Sequence, residues 1–154
     1  MKSGIPFFNK AMGRNRLQTL TRCLRFDAKE TRPDRRKRDR LIPIRNVHDK
    51  LDAKCRSNYK PGPNVCVDEQ LVVFRGRCPF KVYIPNKPGK YGLKVWICCD
   101  MDTAYCSNFE VNLGKTRRMR EVGKGERVVL LITSHLAGSG RCCTVDNFFT
   151  SSLL

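Results

Sequence analysis

Residues 64–74 have the sequence NVCVDEQLVVF, and residues 141–146 have the sequence RCCTVD. Both segments are rich in β-branched and other apolar residues, which favours strands inside a sheet. Each segment also contains one acid where the pattern calls for an apolar side chain, Asp68 in the first and Asp146 at the end of the second. If these strands are neighbours, matched positions project side by side, so the two carboxylates would meet.

The residues between the two segments predict how the strands are connected. Arg75–Arg77 is predicted to be a turn, and residues 85–90 a loop, because two prolines and a glycine do not fit a central strand ladder. Three more strands are predicted at 80–84, 91–99 and 105–113, followed by a helix at 126–136. An order of strands, helix and strand predicts an α/β fold in which antiparallel strands come first and a parallel crossover follows.

The N-terminal part of the chain has a helical period instead. The sequence predicts an amphipathic helix at 12–26, an exposed basic linker at 29–40, and a second amphipathic helix at 41–51. Pro61 and Pro63 end this part, because each proline removes a backbone donor. We therefore predict two regions, a helical basic segment over 1–60 and an α/β region over 61–154.

The net charge of the chain limits the kinds of partner that it is expected to bind. The 154 residues carry a net charge of +17, and residues 1–60 hold 18 basic but only 6 acidic side chains. Such a balance indicates a polyanionic partner rather than a small-molecule substrate. No run of about 18 apolar residues is present, which argues against a membrane-spanning segment.

Nine cysteines are present, an odd number without any CxxC spacing. Zinc sites usually pair their ligands at such a spacing. Most of the cysteines stand in apolar runs, so we expect buried free thiols in a reducing compartment rather than disulfides or zinc ligands.

The two acids have two open interpretations. A carboxylate among apolar residues loses solvation unless a cation compensates it, and two such groups suit Mg²⁺ or Mn²⁺. Alternatively, Asp68 ends a strand or pairs with an arginine of the following turn, and Asp146 caps the residues after it. The pattern alone favours neither.

A family resemblance adds to this picture. Residues 67–100, VDEQLVVFRGRCPFKVYIPNKPGKYGLKVWICCD, and residues 138–151, GSGRCCTVDNFFTS, resemble the piggyBac transposase family. Residues 12–26 and 38–51 also look like the helical segment that precedes the catalytic core in that family. The resemblance implies the first half of a ribonuclease H-like core, with a mixed sheet, preceded by a helical DNA-binding or dimerisation segment.

The resemblance also implies a site. In the family three aspartates hold catalytic divalent metals, and the first two correspond to Asp68 and Asp146. The third lies well beyond the second, whereas the sequence given ends eight residues after Asp146. We therefore expect a fragment truncated after the second catalytic aspartate, inactive by itself and without a tightly bound Mg²⁺ or Mn²⁺.

Several basic residues are candidate DNA contacts, with alternatives for each group. The run at 35–40 suits a phosphate backbone, a nuclear import signal or a solvated linker, and the loop before Tyr91 suits a phosphate strand or an ordinary exposed hairpin. The candidates are Arg35, Arg36, Lys37, Arg38, Arg75, Arg77, Lys87, Lys90 and Lys94. A weaker patch consists of Arg117, Arg118 and Arg120.

Two functions follow from the resemblance. The first is a transposase-derived protein whose complete relative cuts and joins DNA in the nucleus, with a homodimer as a possible assembly. The alternative is a domesticated, non-catalytic protein that uses the basic surface to bind DNA or another partner.

Overall fold

The computed structural model of the chain describes residues 10–114 and 122–150. The chain divides into two compact units, Met1–Val47 and His48–Leu154. The functional division between residues 60 and 61 stays a prediction. No helix in the described ranges is long and apolar enough to cross a membrane.

The first unit is helical. Helix α1 spans Arg14–Cys23 and helix α2 spans Arg32–Arg38. The prediction of an exposed linker at 29–40 missed α2. This helix is held by charge rather than by apolar packing, because Asp27 accepts hydrogen bonds from Arg32 (2.9 Å) and from Arg35.

Helix α3 spans Arg45–Asn58, so it begins later and ends later than the predicted helix at 41–51. In the second unit its His48 packs edge-on against Phe109, with ring centroids 4.9 Å apart. The carbonyl of Cys55 also accepts a hydrogen bond from the Tyr105 hydroxyl (3.0 Å). These contacts attach the helix to the edge of the sheet.

The sheet has five strands in mixed orientation. They are β1 Asn64–Val73, β2 Val82–Tyr83, β3 Tyr91–Asp100, β4 Cys106–Val111 and β5 Cys142–Val145. Strand β3 pairs antiparallel with β1, β2 and β4, whereas β5 pairs parallel with β1 on its other side. Strands β2 and β4 are each three residues shorter than predicted.

Helix α4, Lys124–Thr133, is followed by a 3-10 turn over Ser134–Leu136 and makes the crossover to β5. Its apolar side packs on one face of the sheet, and the Asn108 side chain donates to the Ile132 carbonyl (2.8 Å). The core residues are Val65, Val67, Trp96, Cys98, Val128, Val129, Ile132 and Phe149. Because strand side chains alternate between faces, Cys66 and Asp68 project from the opposite face.

All nine cysteines are free thiols. The expectation that they are buried was wrong for most of them, since only Cys98 is buried and Cys142 and Cys143 in β5 are exposed. The apolar run containing these two residues lies in a strand at the end of the sheet, which leaves their side chains accessible.

Candidate metal site and basic surface

Asp68 and Asp146 lie next to each other at the junction of β1 and β5. The parallel register pairs Val67 with Val145. Asp68 directly follows Val67, and Asp146 directly follows Val145, so the two aspartates occupy matched positions. Neighbouring strands are about 4.8 Å apart, which brings the two backbones within reach of one shared ion.

Both carboxylates are exposed, so the expectation that they are buried was wrong. The reason is the face from which they project. Val65 and Val67 point into the core, whereas Cys66 and Asp68 point to the face that α4 does not cover. The apolar residues of β1 near Asp68 are buried on one face only.

The Cys66 thiol reports how close the two acids are. Burial raises the pKa of Cys66, and the negative charges of Asp68 and Asp146 raise this pKa further. Asp68 and Asp146 are thus both close enough to Cys66 to raise the pKa of the same thiol.

Each aspartate also bonds to nearby backbone. Asp68 Oδ1 accepts from the Glu69 amide (2.6 Å), and Asp146 Oδ1 accepts from the Phe148 amide (2.9 Å). The capping interpretation of Asp146 therefore agrees with the geometry. Capping uses one oxygen and leaves the other carboxylate oxygen to act as a ligand.

The donor set fits a divalent cation in part. Mg²⁺ is usually bound through one or two carboxylates together with water and substrate phosphates, and Asp68 and Asp146 supply two such groups. Among the residues that the structure describes, no group of three or more His, Cys, Asp or Glu side chains is arranged to hold a metal ion.

The nearby acids have other roles. Glu69 points to the opposite face from Asp68, where its carboxylate pairs with Lys94. Asp100 is 2% exposed and accepts hydrogen bonds from the amides of Gly62 (2.5 Å), Asp102 (2.9 Å) and Thr103 (2.9 Å). These bonds lower the pKa of Asp100 from 3.8 to about 2. Asp100 thus fixes the segment that leads into β1.

A basic and aromatic surface lies at the far end of β1 and β3. Arg75, Arg77 and Lys90 are exposed there, and Lys87 is half-buried. A cavity of about 490 Å³ is lined by Val73, Phe74, Arg75, Lys81, Pro88, Gly89, Lys90 and Tyr91. Lys81 was not among the predicted contacts, and its ammonium lies 5.9 Å from the centre of the Tyr91 ring. The sequence signal that could have identified Lys81 was its place in the alternating pattern with Val82 and Tyr83.

Lys94 lies within the strand predicted at 91–99 and not in the loop with Lys87 and Lys90. It lies in β3 on the face of Trp96, where its ammonium pairs with Glu69 and lies 4.8 Å from the Phe148 ring centre. The period-two alternation of β3 turns this side chain away from the basic loop.

The predicted basic run in α2 is only partly available to a partner. Arg35 is bonded to Asp27, and Lys37 pairs with Asp34 at 2.9 Å. Arg36 and Arg38 are exposed. The patch of Arg117, Arg118 and Arg120 lies outside the described residues.

The family model described as Transposase IS4 matches residues 1–154. The chain belongs to this transposase family. A solved piggyBac transposase, determined by cryo-EM as a synaptic complex with hairpin DNA, is 44% identical to the chain and superposes with a TM-score of 0.84. This match identifies the chain as a piggyBac-family protein.

The match covers 92% of this piggyBac-family chain and 30% of the solved transposase. The predicted fold is therefore confirmed: the sheet and α4 form the first half of a ribonuclease H-like core, preceded by helices. Four antiparallel strands, a helix and a parallel fifth strand beside β1 account for the side-by-side arrangement of Asp68 and Asp146.

Proposed function

We propose that this piggyBac-family chain binds DNA and provides Asp68 and Asp146 as two carboxylate ligands for the divalent metal of DNA cutting and strand transfer. The observation that carries the proposal is the parallel register between β1 and β5, which brings these acids together on an exposed face. Hard oxygen donors favour Mg²⁺ or Mn²⁺. When bound, such an ion stabilises charge that develops on phosphate oxygens.

The exposure of the two acids supports this role. A substrate phosphate has to reach the same ion, so a site open to solvent on one face suits a DNA strand better than a buried site. Asp146 is also fixed in orientation by its bond from the Phe148 amide. That bond reduces the rotational freedom that metal binding would otherwise remove.

The basic loop supports DNA as the partner. Arg75, Arg77 and Lys90 place positive charge on one end of the sheet, and exposed Tyr83 and Tyr91 have ring centroids 4.8 Å apart. Cations that follow a backbone together with aromatic rings that stack on bases are the usual means of binding nucleic acid strands. The solved relative is described as a complex with hairpin DNA.

The chain by itself is proposed to cut no DNA. Glu69 and Asp100 are engaged elsewhere, and the structure describes no third acid beside Asp68 and Asp146. Two carboxylates give weak metal binding, so the functional form needs a further ligand.

Manganese binding tests the metal role without requiring cleavage. Mn²⁺ titration followed by electron paramagnetic resonance should show weak binding to the chain. Asp68→Asn and Asp146→Asn should each weaken it by at least the roughly 10- to 100-fold that loss of even an outer ligand partner costs. The matched control, Asp102→Asn, changes an exposed acid in the β3–β4 turn and should leave binding unaltered. Equal binding by all four proteins would contradict the proposal.

A second candidate is a domesticated DNA-binding protein without catalytic chemistry. Its support is the excess of basic over acidic residues in the first 60 positions of the sequence. In that case Asp146→Ala would leave DNA affinity unchanged with and without Mn²⁺. A Mn²⁺-dependent gain in affinity that Asp146→Ala removes would reject this candidate.

A nuclear location is part of the same proposal. Arg36 and Arg38 are exposed on α2, within a basic run typical of import signals. A fluorescent fusion should concentrate in nuclei, and the double variant Arg36→Ala and Arg38→Ala should be distributed evenly. Exclusion of the unmodified fusion from nuclei would contradict the proposal.

A further inference from the structure

Three cysteines form a row across the face of the sheet that carries Asp68. Cys66 in β1 pairs in register with Cys99 in β3, and Cys99 pairs with Cys106 in β4. Residues paired in this way project from the same face, and neighbouring strands are about 4.8 Å apart. The row is not arranged as a metal site among the described residues. Metal binding therefore does not explain why three thiols lie side by side.

Cys99 and Cys106 are paired across β3 and β4, at the position where the register of the two strands shifts between Cys98 and Cys99. Directly opposed residues of antiparallel strands have Cα atoms about 4.5 to 5.5 Å apart. Disulfides span about 4.4 to 6.8 Å between Cα atoms. The two thiols are hydrogen-bonded to each other, and both are partly exposed. The sulfurs are thus adjacent and accessible before any reaction.

We propose that Cys99 and Cys106 form a redox-active dithiol, which a hydroperoxide oxidises to a disulfide between β3 and β4. The Cys99 sulfur attacks the peroxide O–O bond, an S–O bond forms, and the other oxygen leaves as water or an alcohol. The Cys106 sulfur then attacks the Cys99 sulfur. The S–S bond forms, and the S–O bond breaks to release a second water that takes the Cys106 proton. Two thiols supply the two electrons that reduce one peroxide.

The environments of the thiols assign these roles. The hydrogen bond from Cys106 lowers the pKa of Cys99, whereas burial would raise it. The side-chain hydrogen-bond partner of Cys99 is Cys106 and not Cys66, so Cys106 is the second thiol. Cys98 points to the opposite face, is fully buried, and has a pKa raised to about 11.

The sequence makes the test simple. Trypsin cleaves after Lys94 and Lys115, and the peptide between them contains Cys98, Cys99 and Cys106 and no other cysteine. Cys66 falls in a different peptide. The full chain is treated with stoichiometric hydrogen peroxide, its remaining thiols are alkylated, and the digest is analysed by mass spectrometry without reduction.

The expected product is the 95–115 peptide lacking two hydrogens and alkylated only at Cys98. Cys106→Ser should abolish it, while the matched control Cys66→Ser should leave its yield unchanged. A cross-link between this peptide and the Cys66 peptide would overturn the assignment. Full alkylation of all three thiols, with oxidation only at Cys142 and Cys143, would overturn the proposal. Neither readout requires DNA or a metal, so the proposed function and this inference fail independently.

Discussion

At the scale of single residues, Asp100 has the clearest electrostatic signature in the chain. Its carboxylate accepts bonds from three amides and from the Thr103 hydroxyl (3.1 Å), and its pKa falls to about 2. The folded-state pKa is below the unfolded value of about 3.9. The stabilisation is therefore complete above about pH 4 and is lost as the pH falls toward 2.

The lowered pKa of Asp100 leads to a prediction for the variant Asp100→Asn. In the variant, the side-chain NH2 group of asparagine replaces one carboxylate oxygen, so a donor faces backbone amides that are also donors. The variant should therefore be less stable than the unmodified chain at pH 7. The difference should shrink steadily between pH 4 and pH 2, because over that range the carboxyl of the unfolded chain takes up a proton while the native carboxylate is still ionised, which favours the unfolded state. Urea unfolding midpoints across this series measure it, with Asp102→Asn as the control. A difference that does not vary with pH would contradict the electrostatic explanation.

Single residues also mark the limit of prediction from sequence. The strand period and the crossover order predicted that Asp68 and Asp146 come together, because both are properties of local pattern. Their exposure was not predictable, since an apolar run in a strand does not specify whether one face or both faces are covered. The pairing of Lys94 with Glu69 was not predictable for a related reason: its position next to a loop concealed its alternation within β3.

At the scale of elements, α4 controls where Asp146 lies. Gly125 in its first turn packs against the turn after β5, and a Cβ there would lie 2.4 Å from the Phe148 carbonyl oxygen and 2.8 Å from the Phe149 Cα. Both contacts are backbone atoms of the turn that orients Asp146. Only glycine allows this approach.

Gly125→Ala should therefore destabilise the chain by about 1–3 kcal/mol, the usual cost of overpacking. This is expected although alanine is the better helix former by about 1 kcal/mol. Gly13→Ala serves as the control, because nothing lies within 4 Å of the added Cβ. Chemical unfolding gives the stability, and Mn²⁺ titration should show weaker binding by Gly125→Ala. Unchanged stability would mean that α4 does not hold the turn.

Helix α2 shows why a charged element can be missed. Hydrophobic periodicity predicts helices that pack through an apolar face. Residues 29–40 have no apolar residues and therefore no such periodicity. The helix instead depends on Asp27, whose pKa is lowered by bonds from Arg32 and Arg35, and on Asp34 in its first turn. The residues in these contacts are several positions apart in the sequence, and the contacts depend on the path of the chain after α1. Hydrophobic periodicity does not encode that path.

Asp27→Ala should consequently lower the helicity of residues 32–38. Removing the shared acceptor leaves two arginines that repel each other on adjacent turns. Backbone chemical shifts measure the loss residue by residue, and Asp34→Ala should have a smaller effect because Asp34 contacts only the exposed Lys37. Native shifts in the Asp27→Ala protein would show that local propensity alone maintains the helix.

At the scale of the whole molecule, the net charge of +17 makes salt the variable that distinguishes DNA binding from other roles. The logarithm of affinity should fall with the logarithm of salt concentration by about 0.9 for each phosphate contacted. Replacing Arg75 and Arg77 by alanine together should reduce that slope by about 2, since both side chains are exposed at the end of the sheet.

Lys94 provides the matched comparison. Its charge is already neutralised by Glu69, so the double variant Lys94→Gln and Glu69→Gln removes one charge of each sign and should leave the slope unchanged. Fluorescence anisotropy with duplex DNA over a range of salt concentrations measures both slopes. If the Arg75 and Arg77 variant keeps the full slope while the Lys94 variant loses part of it, the DNA surface lies on the α4 face of the sheet instead of at the basic loop. The Arg75 and Arg77 variant lowers the net charge from +17 to +15, whereas the Lys94 and Glu69 variant keeps it at +17, so the comparison separates the loss of two exposed cations from the loss of one neutralised pair.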